Sequence, residues 1–575
     1  MVEIPRRYVW GMAGLSLGFC CLASSLAAAD KVPAEDRLPP GVSVFISVPD
    51  AVDFSERFHE TGFGRLLRDD ALAEVRADVE EYLNELSTKV EELVGVPLAD
   101  VCGIIHGEVA FAVLHPAGRD PGAALFLDFG ENSETLDTLL GKAAEAIEAD
   151  GATRTVETVQ DTEVTIFTTD DEKTPEFAKS LCHFIKDQQL IVTTSTAIAE
   201  EILQRWDGEH DETFGRSEVY GGMMEKCRTA DSGEPQVKWY FSPVDLFRTI
   251  TSIPEANQGP VSPSVIMGFL PALGLDRVKA VGGTSSMATD EFDSISRTLL
   301  YVEAPATGIV KMFACPAVSQ QPPRWVPESS AGYTVVNWDI ENAYKTVESL
   351  VDFFQPPGTL AKLLDQIAQQ GPKVHVKDDV IDAISGRMHF LAEEAEDLEF
   401  GEMQPFVIAL ELRDEARLAD VLQRVQEVAG DQLETRDFRG LTIYEVEIPG
   451  VSGAQTLGAC IAKGNLFFAT DVERMEAYLR SENAESPLIE STDYRRVASH
   501  FPGETSLLGF QRPAAQVRPL YDVLRSGQLE AVFDQVDFTR LPEFEVIEHY
   551  FSVAGGYAVS DPQGALFVNF SLHAD

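Results

Sequence analysis

Few side chains in this sequence are placed to do chemistry. Glu108 stands between Gly107 and the apolar run from Val109 to Leu114. That setting keeps water from a carboxyl and raises its pKa, as a general acid requires. The competing reading is a turn residue that hydrogen-bonds nearby backbone. His106 and His115 bracket the same run and, nine residues apart on a strand, face opposite sides of it, which suits a metal poorly. The acidic stretch Asp207-Gly208-Glu209-His210-Asp211-Glu212 is the densest candidate for Ca²⁺. It lacks the alternating ligands, central Gly and terminal Glu of an EF-hand loop. Gly282-Gly283 resembles a phosphate cradle, yet its recurrence as Gly555-Gly556 before another strand reads as a bulge or tight bend. Trp239-Tyr240-Phe241 and Phe510 fit either the lining of a groove between two halves or a core.

Covalent and cofactor motifs are missing. Gly450-Val451-Ser452-Gly453 starts like a nucleophile elbow but continues with Ala454, and His59-Glu60 has Phe63 where a zincin needs His. There is no Walker A sequence and no G-x-G-x-x-G after a strand. Beyond residue 29 the cysteines are Cys102, Cys182, Cys227, Cys315 and Cys460, an odd and widely spaced set without a C-x-x-C pair. They do not form a disulfide framework, although one bridge is compatible with the set, and structural zinc is not indicated. Cys102 and Cys460 lie in apolar strings and read as small buried hydrophobes. The sequence therefore assigns no catalytic, cofactor-binding or metal residue.

The elements that would position these groups come in two series. Asp100-Val101 and His106-Gly107-Glu108 are answered by Asp379-Val380 and Ser385-Gly386-Arg387. Leu125-Phe126-Leu127-Asp128 is answered by Ile408-Ala409-Leu410-Glu411, and Leu190-Ile191-Val192 by Leu466-Phe467-Phe468. Ser217 with Tyr220 is answered by Ser491 with Tyr494. A collinear series of this kind is an internal duplication. Consecutive strand-like runs such as Thr153–Glu157 with Glu163–Thr168, and His183–Lys186 with Leu190–Thr194, are joined by short turns and so pair antiparallel. Val75, Val79, Leu83, Leu86, Val90 and Leu93 recur at helical spacing, as a core-facing helix or a short coiled coil. Val265 to Leu275 is too short to span a bilayer and contains Pro271, so it reads as core. The expected class is α+β: two homologous halves of mostly antiparallel sheet packed with amphipathic helices. The halves run over 30–315 and 333–575, with a Pro-rich linker at 316–332.

Arg6-Arg7, an apolar stretch from Val9 to Leu26 and Ala27-Ala28-Ala29 form a secretory signal over residues 1–29, cut between Ala29 and Asp30. Such a chain is exported to the periplasm, cell envelope or medium. An uncleaved N-terminal membrane anchor is the alternative, and Phe19 before Cys20 makes a poor lipidation site. After cleavage no membrane span remains. The 575 residues carry 94 Asp and Glu against 45 Lys and Arg, a net charge of −49, with 44% hydrophobic residues. That is a folded chain, and its charge repels nucleic acid. The acid excess fits a solvated surface screened by counter-ions.

Three features carry a family resemblance: Leu38-Pro39-Pro40-Gly41 followed by Gly107-Glu108 ahead of an apolar strand; Phe438-Arg439-Gly440-Leu441-Thr442-Ile443-Tyr444; and the blocks Leu190 to Ser195 and Leu466 to Asp471. Together they resemble a bacterial family of exported proteins classed as a domain of unknown function, here in two tandem copies. The resemblance implies fold and export and no activity, cofactor or site residue. The functional expectation is a non-catalytic protein that binds a protein or glycan ligand, or scaffolds, at or beyond the envelope. Its alternatives are a carboxylate-dependent hydrolase and a Ca²⁺-stabilised acidic surface protein.

Overall fold

A computed structural model describes residues 31–94, 103–170, 174, 179–228, 233–253, 262–393, 406–449, 454–480, 482–528 and 535–574. The cleavage pair Ala29-Asp30, Cys102 and the elbow-like stretch 450–453 lie outside them. The chain forms two compact units, one of residues up to Gly268 plus Val278–Val302, the other of Phe269–Arg277 plus Glu303 onward.

The strands described in the first unit are β1 (Val42–Val48), β2 (Val109–Leu114), β3 (Gly122–Asp128), β4 (Thr153–Val159), β5 (Thr162–Thr168), β6 (Ser180–Lys186), β7 (Gln189–Thr193), β8 (Val237–Phe241), β9 (Val278–Met287) and β10 (Phe292–Val302). They pair in the order β4-β5-β6-β7-β3-β2-β1-β8-β9-β10, every pair antiparallel. Those of the second unit are β11 (Gly332–Asn337), β12 (Ile384–Ala392), β13 (Phe406–Leu412), β14 (Glu434–Phe438), β15 (Leu441–Pro449), β16 (Ala454–Ala462), β17 (Asn465–Ala469), β18 (Leu507–Gln511), β19 (Ala554–Asp561) and β20 (Gly564–Leu572). Their order, β14-β15-β16-β17-β13-β12-β11-β18-β19-β20, is the same. The register agrees as well. Val44 pairs with Val113 and Phe241, while Gly332 pairs with Ala392 and Gln511.

Short hairpins keep the order. Both central residues of the β4–β5 and β6–β7 turns (Gln160-Asp161 and Asp187-Gln188) have positive φ, as do Arg439-Gly440 and Lys463-Gly464 in the second unit. Two left-handed residues match a turn to the twist of its flanking strands. The first unit imposes that conformation on side chains other than glycine, which disfavour it.

The helices used below are α1 (Ala34–Arg37), α2 (Ala73–Val94), α3 (Ser133–Ala149), α4 (Glu218–Cys227), α5 (Pro263–Leu273), α6 (Ile340–Phe354), α7 (Thr359–Gln370), α8 (Glu415–Ala429) and α9 (Thr492–Ala498). Leu136 of α3 is buried with Phe129 and Leu190, and Leu418 of α8 with Leu466. Ser217 caps α4 by accepting from the Tyr220 N–H, and Ser491 caps α9 by accepting from that of Tyr494.

Four expectations change. The glycine pairs are neither cradle nor bulge, since β9 and β19 run through them in unbroken register. They let helices come close: a Cβ on Gly282 would lie 2.7 Å from Met223 Sδ of α4, and one on Gly555 2.4 Å from Val497 Cγ1 of α9. In α2, Val75 is buried but Tyr82 and Leu83 are exposed, so that stretch is not simply core-facing. In α5 no residue is buried, against the core reading of Val265 to Leu275. Finally, the Pro-rich stretch 316–332 packs inside the second unit: Trp325 and Val326 are buried, Val318 bridges Thr505 and Pro327 bridges Pro487.

Candidate functional site

Glu108 sits one residue ahead of β2 and is buried beneath the chain's own N-terminal segment. β1 alternates in a way its composition hides. Ser43, Phe45 and Ser47 take the fully buried face and Val44, Ile46 and Val48 the half-buried one. That register brings the Ser47 hydroxyl to Glu108, where it donates to Oε1 at 2.9 Å. The Ala34 N–H, in the first turn of α1, donates to Oε2 at 2.9 Å. Glu108 thus satisfies a backbone donor that a helix start leaves without an internal partner.

The rest of the segment is anchored by charge. Lys31 Nζ donates to Asp128 at 2.8 Å, and Lys238 Nζ donates to Glu35 Oε1 at 2.7 Å with both side chains largely out of water. Arg37 donates to Gln189 and lies 3.9 Å above the Trp206 ring, whose Nε1–H donates to Asp187. The backbone is tied too: Gly215 N–H donates to Glu35 O and Phe214 N–H to Leu38 O. An aromatic box of Phe45, Phe214, Tyr220 and Tyr240 packs alongside, with Phe214 and Tyr220 centroids 4.2 Å apart.

Burial first, and then the Glu35 charge, push the Glu108 carboxyl up to about 8, against the pull of its two donors and Lys238. Glu108 therefore keeps its proton at neutral pH. Burial and then Glu35 also raise Asp36, and burial lowers the Arg37 guanidinium. Burial and the Glu35, Glu108 and Asp36 carboxylates lift the Tyr220 hydroxyl well above its usual range. The group has the raised pKa that marks a general acid, but its oxygens face the chain's own donors under α1. Chemically it holds a proton and a backbone turn.

The second unit has no counterpart to this acid. At the equivalent register stands Arg387, whose Nη1 lies 3.4 Å from Glu411 Oε2. The Val326 carbonyl accepts from Leu488 N–H where Leu38 accepts from Phe214. Next to it Trp325 packs edge-on against Phe467 and His389, and the Tyr333 hydroxyl lies 2.8 Å from His389 Nδ1. Burial, then Arg387, lowers His389 to about 4.

The remaining candidates do not converge. His106 Nδ1 lies beside the Ile104 carbonyl and the Asn132 amide, while the His115 N–H donates to Gly41 O. In the stretch 207–212, carbonyls of Gly208 and His210 accept from Arg216 and that of Glu212 from Arg205. Among the described residues no three His, Cys, Asp or Glu side chains come together as a metal site. Cys182, Cys227, Cys315 and Cys460 are free thiols. Tyr240 and Phe510 belong to the cores of their units. Glu35, Arg37, Ser47 and Lys238 went unseen in the sequence. The available signal was a lone Lys in the aromatic strand Val237–Phe241 and two serines, four apart, in an otherwise apolar β1.

No family model, curated protein or solved structure matches this chain. The resemblance to an exported family of unknown function rests on the sequence motifs alone.

Proposed function

We propose that this is an exported, non-catalytic binding or scaffolding protein of the cell envelope or its surroundings, built from a duplicated module. The observation that carries the reading is an inversion. The most acid-like group, Glu108, is closed in by α1, while large apolar side chains on α2, α5, α6 and α7 face water. Catalysis needs a reactive group within hydrogen-bond reach of a substrate. Binding needs apolar area that becomes dry on contact. Equal strand order, matched register and repeated helix caps support the duplication.

The test is affinity capture with the chain from Asp30 to Asp575, using envelope and medium fractions and analysing protein, glycan and lipid. A reproducible, salt-resistant ligand supports the reading. An empty eluate, together with hydrolysis of an acyl or glycosyl substrate that Glu108→Gln abolishes, would replace it with the hydrolase. Fractionation of cells checks export, and retention of the mature chain in the cytoplasm would refute it.

A further inference from the structure

Exposed apolar side chains are concentrated at one place in the second unit. Phe353 and Phe354 close α6, and Leu363 and Ile367 lie one turn apart on α7, the next helix in the chain. Phe269, in the part of α5 that belongs to this unit, stacks obliquely on Phe354 with centroids 6.1 Å apart, and Phe353 meets Phe354 at 5.0 Å. Phe353 is 63% exposed, Ile367 56% and Phe269 46%, so these rings and chains are in contact with water and not merely near it. A soluble surface seldom keeps apolar side chains grouped in this way unless something covers them.

The chemistry of the cover follows from charge and shape. From Ala256 to Leu275 the sequence has no charged residue, in a chain of net charge −49. A surface rich in anionic lipid would be repelled by the whole molecule, and no basic rim compensates along this stretch. A partner helix would need only a stripe, whereas α5 is apolar around its circumference with no residue buried. A fluid apolar phase can cover all sides of a helix. At 11 residues α5 is about 16 Å long, too short to cross a hydrocarbon core of about 30 Å and suited to lying within its boundary.

We propose that Phe269, Phe353, Phe354, Leu363 and Ile367 form a docking face for an uncharged, zwitterionic phospholipid surface. The proposal rests on the reading of the chain as a binding protein and names the ligand class. It is tested by flotation of the chain from Asp30 to Asp575 with phosphatidylcholine vesicles, and with vesicles containing increasing phosphatidylglycerol. Flotation with neutral vesicles is expected to persist in high salt and to weaken as anionic lipid is added. The double variant Phe353→Ser/Phe354→Ser, and separately Ile367→Gln, should lower the partition coefficient, by about tenfold or more for the double variant. Circular dichroism and urea unfolding should leave both variants folded, because the side chains removed lie at the surface. Absence of flotation, or flotation that neither variant weakens, would overturn the proposal. If vesicles fail but a specific protein is captured, the lipid assignment falls and the binding reading stands. If neither is bound, both fall.

Discussion

Ahead of β1, the first unit sends Glu35 and Arg37 into its interior. Ahead of β11, the second sends Trp325 and Val326. The two segments are held by the same backbone bond, from Phe214 to Leu38 and from Leu488 to Val326. The positions facing them differ in the same sense: Ser47 and Lys238 on one sheet, Val335 and Leu508 on the other. One scaffold therefore tolerates two interiors. Apolar packing is forgiving of partial change, whereas a buried ion pair depends on both members.

The sharpest way to break the comparison is to remove one charge. Lys238→Ala strands Glu35 without its partner and should destabilise the first unit by about 3–5 kcal/mol in urea unfolding. The double variant Glu35→Leu/Lys238→Leu, which imitates the apolar style of the second unit, should recover most of that loss. If the single and double variants lose equally, the pair is not what holds the segment.

The next effect is in pH. Glu108 has a folded pKa of about 8 against an ordinary 4.5, so the folded chain holds a proton that the unfolded chain has released. Its contribution is complete below about pH 4.5 and is lost as pH rises towards 8, on the order of 3 kcal/mol. His389 runs the other way. With its pKa lowered to about 4, it costs stability as pH falls below 6.5. His183, lowered to about 4, and Glu393, raised to about 7, oppose these trends within their own units. The measurement is therefore the difference between wild type and variant. Glu108→Gln should remove a falling slope between pH 5 and 8, and His389→Gln a rising one between pH 4 and 6.5. Parallel curves for wild type and Glu108→Gln would mean that the carboxyl is ionised when folded.

Smaller again is the notch under the helices. Gly282→Ala and Gly555→Ala each place a methyl against α4 or α9 and should cost about 1–3 kcal/mol. Gly555 should be the more sensitive, since Met223 is flexible at its tip while Val497 and Phe570 are not. The smallest change is a gain. Gln188→Gly relieves a left-handed side chain at φ 63° and should stabilise the β6–β7 hairpin by about 0.5–1 kcal/mol in thermal unfolding, the turn then matching Lys463-Gly464.

The α+β class, the antiparallel hairpins and the two parallel series were legible because strand periodicity and turn spacing are local. Gly107 to Gly386 aligns the sheets in the register the strands adopt. Glu108 was legible as an odd carboxyl, but its role was not. Its donors lie 61 and 74 residues away, and nothing in Ala34-Glu35-Asp36-Arg37 distinguishes a buried turn from a solvated one. The face of β1 was misleading for a related reason: serine is small enough to go inside when a buried acceptor waits for it. Exposure of α5 and α7 was out of reach as well, because an apolar pattern states what a face prefers and not whether the fold supplies a cover.

The ion pair between Glu35 and Lys238 spans 203 residues of chain. During synthesis Glu35 emerges long before its partner, so the segment that closes the first unit is the first part made and among the last to dock. Contacts of such separation form slowly, since the intervening chain must first be brought together. A nascent chain of this kind stays open while most of the unit is still being made. If the protein is exported as proposed, that delay keeps it threadable through a translocation channel until the charges of its N-terminal turn can meet on the far side.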